Sequence, residues 1–239
     1  SFKILFYAKQ IYSNSYDVYT IDSDGTNIKK HTTNAGAYPI WFQGKLLWVD
    51  TQNKSLVYKE VADSAGQTTK MTDLTENIMF LRFGENINSY LFSIYDNGIS
   101  QIAKMDLDIF EITKISDGSS DERLPMCSEA DDWIYFSSKK GDTFDIYRMK
   151  VDGSNVEPII VEDDFDVTTF SINQSGTCIV ASKYNDQQSS IIVWDVLRQK
   201  ILYQLDTTDM DRGLFPSFSS DEKYILFTDG IPDNSATPR

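Results

Sequence analysis

The side chains able to do chemistry are few in kind. The 239-residue chain holds one histidine, two cysteines and 36 acidic residues against 22 basic ones, a formal net charge of −14. A serine hydrolase needs a nucleophile, a base and an orienting acid. No Gly-x-Ser-x-Gly occurs, and His31, in Lys30-His-Thr-Thr33, has no second histidine with which to share a metal. It reads as a surface or packing residue at a strand end. Two carboxylates at a set separation could hydrolyse a glycoside, and 36 acidic residues leave that chemistry open without pointing to a pair. Asp22-Ser-Asp-Gly-Thr-Asn27 alternates oxygen ligands as calcium prefers, but it lacks the loop length and the terminal glutamate. It reads as a hairpin turn. There is no phosphate-cradling glycine loop and no Cys/His zinc cluster, so no cofactor and no metal are expected. Cys127 and Cys178, placed in inner strands of successive repeats, read as small buried hydrophobes rather than as a disulfide.

These residues must be positioned by strands. Val18-Tyr-Thr-Ile21, Val57-Tyr-Lys-Glu60, Ile102-Ala-Lys-Met105, Ile146-Tyr-Arg-Met149 and Ile191-Ile-Val-Trp194 recur at steps of 39, 45, 44 and 45 residues. That period, filled with short strands, is expected of four-stranded propeller blades. A second template places an apolar pair, a turn and an apolar run in each unit. Its instances run from Trp41-Phe42 with Leu46-Leu-Trp48 to Ser217-Phe218 with Tyr224-Ile-Leu-Phe227. Asp24-Gly25 and Asp152-Gly153 lie between the third and fourth strands, where a tight hairpin wants positive φ. Trp41, Trp48, Trp133 and Trp194 fall within strands and read mainly as packing between blades, with sugar stacking as the minor alternative. The fold expected is all-β, a β-propeller of four-stranded antiparallel blades. It forms one domain over residues 1–230, with residues 231–239 as a C-terminal tail. About 21 strands can be counted, which leaves ring closure at five or six blades, with six favoured over five.

The template Pro-x-Phe-Ser-x-Asp-x-x-Tyr-Ile-x-Phe, at Pro216 to Phe227, resembles the TolB-like family of propeller repeats, also called PD40 or WD40-like. So does Ile146-Tyr-x-Met-x-x-Asp-Gly153, echoed from Val18 to Gly25. The resemblance implies six blades and a periplasmic or otherwise extracytoplasmic protein, with any leader peptide expected upstream of Ser1. It also implies a choice of roles, because the family includes scaffolds, sugar lyases and the propellers of oligopeptidases. The metal sites of such lyases use several histidines, so that role does not carry over residue by residue. The additional domain of TolB and the hydrolase domain of the oligopeptidases have no counterpart here.

What varies between units is the link from each outer strand to the next inner strand, on the face around the channel. These links are acid-rich: Asp73 and Glu76; Asp117, Asp121 and Glu122; Glu162, Asp163, Asp164 and Asp166; Asp209 and Asp211. Arg123 and Arg212 each stand just before a first strand. The expected binding residues are Asp121, Glu122, Arg123, Asp163, Asp164, Asp166, Asp209, Asp211 and Arg212, forming a charged mouth for a basic peptide, a protein partner or a cation. The competing reading is a polar funnel in which Arg–Asp pairs hold blades together, each contributing little. Nucleic acid is disfavoured, because such an acidic surface repels phosphates. No apolar run approaches the ~18 residues that cross a bilayer. The function expected is a non-catalytic scaffold, with a carbohydrate-binding or carbohydrate-active propeller as the alternative.

Overall fold

The computed structural model describes residues 3–9, 15–34, 36–60, 67–74, 77–84, 87–130, 132–208 and 213–229. Every regular element among them is a strand, and the strands form six sheets in chain order. The first sheet holds β1 (Lys3–Lys9), β2 (Tyr16–Asp22) and β3 (Lys29–Lys30). The second holds β4 (Gly36–Phe42), β5 (Lys45–Asp50), β6 (Ser55–Glu60) and β7 (Thr69–Asp73). In the third are β8 (Ile78–Gly84), β9 (Ser89–Asp96), β10 (Ile99–Asp106) and β11 (Ile112–Lys114). The fourth has β12 (Asp121–Cys127), β13 (Trp133–Lys139), β14 (Asp145–Lys150) and β15 (Glu157–Ile160). The fifth has β16 (Asp166–Ile172), β17 (Cys178–Tyr184), β18 (Ser189–Asp195) and β19 (Lys200–Asp206). The sixth pairs β20 (Gly213–Phe218) with β21 (Ile225–Asp229). All ladders are antiparallel between strands consecutive in the chain. The inner strands β4, β8, β12, β16 and β20 pack in succession, which makes the sheets blades around a common axis.

Alternation explains why blades need neighbours. Successive side chains of a strand point to opposite faces. On β9, Tyr90, Phe92 and Ile94 enter the core between the second and third sheets, while Leu91 enters the one between the third and fourth. On β13, Ile134 and Phe136 face the third sheet and Tyr135 faces the fifth. On β5, Leu46 and Trp48 pack toward the first sheet and Leu47 and Val49 toward the third. A strand buried on both faces reads as a continuous apolar run, which is why the second strands stand out in the sequence.

The 21 strands expected from the sequence are present, and β20 pairs with β21. The inner strands begin earlier than the apolar pairs suggest. Each carries a register shift, between Ala37 and Ile40, Met79 and Arg82, Arg123 and Met126, Val167 and Phe170, and Leu214 and Ser217. Tyr38, Phe80, Leu124 and Phe215 take positive φ there. A bulge breaks period-two alternation, so only the half-strand after it is conspicuous in the sequence. Cys178 is likewise corrected: it opens the second strand β17, not an inner strand, because it follows the turn at Gly176 rather than preceding it. Cys127 ends the inner strand β12, and the two cysteines form no disulfide.

Both Asp-Gly turns form as expected, with φ of 83° at Gly25 and 87° at Gly153. The Oδ1 of Asp24 accepts from the Thr26 amide at 2.9 Å, and that of Asp152 from the Ser154 amide at 2.9 Å. Their surroundings differ. A Cβ at Gly25 would meet nothing, whereas one at Gly153 would strike the carbonyl oxygen of Ile115 in the preceding sheet. Gly25→Ala should cost about 1–2 kcal/mol for its left-handed backbone. Gly153→Ala should cost roughly 1–3 kcal/mol more, because a backbone atom cannot swing aside. Urea unfolding of the two variants checks this, and equal losses would remove the close approach from the account.

Candidate functional site

The acidic residues around the links into the fourth and fifth sheets fall into two groups with different duties. The first is structural. Asp121 and Asp166 are the opening residues of β12 and β16, not loop residues, since the strands start ahead of their bulges. Each reaches back to the sheet before it. Asp121 Oδ1 accepts from the Ser100 amide at 3.2 Å, and Asp166 Oδ1 accepts from the Phe144 amide at 2.8 Å. The two carboxylates lie 45 positions apart and make the same contact, so they are one clamp repeated between successive blades. Arg123 joins the first clamp. Its Nε and Nη2 donate to the two oxygens of Asp121 at 3.1 and 2.5 Å, and its guanidinium sits 5.0 Å from the centre of the Phe144 ring. Such a fork is geometrically specific.

Glu122 is one residue further along β12 and therefore on the opposite face. It is 3% exposed, and its Oε2 has no hydrogen-bond partner among the described residues. It borders a cleft of about 450 Å³ between the third and fourth sheets, shared with Lys104, Lys114, Ser116, Lys140 and Asp152. Burial pushes its carboxyl above the ordinary range. A hydrogen bond from Ser116 and the charge of Lys140 oppose this, and Asp117 and Asp121 reinforce it.

The second group is open to solvent. Asp163 and Asp164 are exposed and carry no ion pair among the described residues. Glu162 beside them is bound to Lys183 at 2.8 Å, and that ammonium also lies 4.4 Å from the Phe165 ring centre. Behind them is Asp145, 6% exposed, which accepts from the Glu162 amide at 3.0 Å. Burial raises the Asp145 carboxyl. The Glu162 amide opposes the shift, and the carboxylates of Asp163, Glu162 and Asp166 add to it. These four acidic groups therefore share one neighbourhood. Asp145 is absent from the sequence reading because it opens a third strand, not a link. The signal that could have found it is Asp17 at the same place in the first unit, where it pairs with Lys30 at 2.6 Å. Glu76, Asp209, Asp211 and Arg212 lie outside the described residues.

The arrangement is one of charge presentation. Among the described residues, no three His, Cys, Asp or Glu side chains converge to hold a metal ion. The clamped Asp121 and the buried Glu122 point to opposite faces of one strand, so they do not flank a common substrate position.

The sheets and their acidic rim define a β-propeller with four-stranded blades. No protein-family model and no curated protein matches the sequence. Among solved structures, TolB from Acinetobacter baumannii superposes with a TM-score of 0.76 at 17% identity, over 93% of this chain and 57% of that one. A TolB candidate from Agrobacterium tumefaciens gives 0.66 at 18% identity, over 89% of this chain and 83% of that one. An oligogalacturonate lyase in complex with manganese gives 0.65 at 12%, over 85% and 62%. The fold is that of the TolB-like β-propeller. The chain spans 57% of the length of the Acinetobacter protein.

Two expected outcomes follow from this geometry. Asp121→Ala and Asp166→Ala should each cost about 1–3 kcal/mol, because a backbone amide at a blade boundary loses its acceptor. Asp163→Ala should stay within about 0.5 kcal/mol. Chemical denaturation of the three variants separates clamp from surface. For Glu122 the folded carboxyl titrates above the unfolded one, so folding takes up a proton between the two values and stability falls as pH rises through that window. Glu122→Gln should therefore melt higher than the parent at pH 7, by roughly 1 kcal/mol, the scale of an unpaired buried polar atom. The advantage should vanish below the ordinary carboxylate range. A pH series of thermal melts reads this directly.

Proposed function

We propose that this propeller is a non-catalytic scaffold that holds a basic protein or peptide segment on its acidic face, in an extracytoplasmic compartment. The observation behind the reading is the pair Asp163 and Asp164. They are exposed, lack ion pairs among the described residues, and lie near the Asp145 carboxylate, which is raised first by burial and further by acidic neighbours that include Asp163. A cation placed there relieves repulsion as well as gaining attraction. Asp166 and Asp121 contribute to the field while remaining in their clamps. Asp209, Asp211 and Arg212 belong to the same proposed mouth by their place in the repeat. The likeness to TolB supports a protein partner through the fold it shares.

The test leaves the clamps intact. Asp163→Lys/Asp164→Lys is titrated with an oligolysine peptide by calorimetry, alongside the parent. The parent should bind with an affinity that falls as salt is added, and the double variant should lose binding at least tenfold, roughly the scale of two charge-assisted contacts. Equal binding by both proteins moves the site elsewhere.

A second reading, a carbohydrate-binding or carbohydrate-active propeller, rests on Trp41, whose side chain is 40% exposed rather than sealed between blades. An exposed indole offers a face for a sugar ring. A glycan array with a hydrolase and lyase turnover screen distinguishes the two readings, and turnover would reject the scaffold.

A further inference from the structure

The end of the propeller opposite the acidic links has a different chemistry. There β1 and β5 begin, and β2, β4 and β6 end. A cavity of about 190 Å³ opens between the first and second sheets at this end. Lys3, Lys29 and His31 line it from the first sheet, and Trp41, Lys59 and Glu60 from the second. Of the four lysine and glutamate side chains that line it, two are already neutralised in pairs: Lys3 binds Asp22 at 2.5 Å, and Glu60 lies 3.3 Å from Lys45. Lys29 and Lys59 carry no ion pair among the described residues. They leave a local positive excess on a chain whose net charge is −14.

His31 supplies the second observation. One of its ring nitrogens, Nε2, lies 2.9 Å from the Thr20 hydroxyl. The other, Nδ1, is buried and has no partner among the described residues. A buried polar atom without a partner is costly and calls for an explanation. Burial holds the imidazole down to about 4, and the charges of Lys29, Lys59 and Lys3 act in the same direction. The ring is therefore neutral at pH 7, and it feels these three ammonium groups together. Trp41 gives the cavity a flat apolar wall and Leu46 a buried apolar lining.

We infer that this cavity binds a small organic anion, a flat ring bearing a carboxylate or phosphate, with the anionic group between Lys29 and Lys59 within reach of His31 and the ring against Trp41. The chemistry matches each part. Two ammonium groups without ion pairs among the described residues favour an anion by direct charge attraction, with Lys29 exposed and Lys59 half-buried. The indole contributes apolar contact and stacking. A cavity of this size takes one ring and its charged group rather than a polymer. The site lies away from the acidic face, so its occupancy is separable from capture of a basic partner.

Calorimetric titration with phenyl phosphate and benzoate tests the proposal, with inorganic phosphate, benzyl alcohol and glucose as comparison ligands. The ring-bearing anions should bind, inorganic phosphate should bind more weakly, and the two neutral ligands should give no heat of binding. Lys29→Ala/Lys59→Ala should weaken phenyl phosphate by about tenfold or more, the loss expected when charge-assisted contacts go. Trp41→Ala should weaken phenyl phosphate while leaving inorganic phosphate unchanged. Lys200→Ala, at an exposed lysine of β19, should bind as the parent does, and thermal melts confirm that all variants are folded. Equal binding of neutral and charged ligands, binding unaffected by the double lysine substitution, or no binding of either ring-bearing anion overturns the proposal. Loss of oligolysine binding in Asp163→Lys/Asp164→Lys with phenyl phosphate binding retained keeps the two sites distinct.

Discussion

The structure depends on burial of both faces of every complete blade. A four-stranded sheet with apolar side chains on both sides cannot be stable in water on its own, because each face must be covered. Residues such as Leu91 and Phe92, adjacent in the chain and packed in different cores, commit β9 to two neighbours at once. Covering both faces generates the ring order, and the ring order brings strand ends together at two rims. Side chains at the rims are thereby released from core duty and become available for charge.

Much of this was legible in the sequence because it is local. Turn chemistry at Asp24-Gly25 and Asp152-Gly153 and the apolar runs of the second strands are written within a few residues each. The inner strands were only half legible. The positive φ at Phe80 or Leu124 inserts a bulge that destroys alternation without any distinctive residue to announce it. This is why Asp121 and Asp166 read as loop acids although they open strands. Their clamp role was foreshadowed by the reading in which Arg–Asp pairs hold blades together. Its true form uses backbone amides of the preceding sheet, which no spacing in the chain reveals.

The basic cavity was invisible for a different reason. Lys29 and Lys59 are thirty positions apart and belong to different sheets, and a lone histidine at a strand end carries no signal by itself. Trp41 was read as packing because strand tryptophans usually are; Trp48, 2% exposed, satisfies that expectation while Trp41 does not. The pleat puts both on the face toward the first sheet, and their position along the strands makes the split. The two residues sit on neighbouring strands, and Trp41 pairs across to Leu46, close to the turn, where the groove between sheets opens outward.

The division between Asp166 and its neighbours at 163 and 164 has an evolutionary side. The carboxylate that joins two blades and the carboxylates that face outward are adjacent in the chain but are held by different forces. Selection for a partner can rewrite the outer pair without loosening the joint between sheets. Selection for folding can conserve the inner residue without fixing what the surface recognises. On the proposed reading, what the surface recognises and what joins the sheets can be altered independently, one blade boundary at a time.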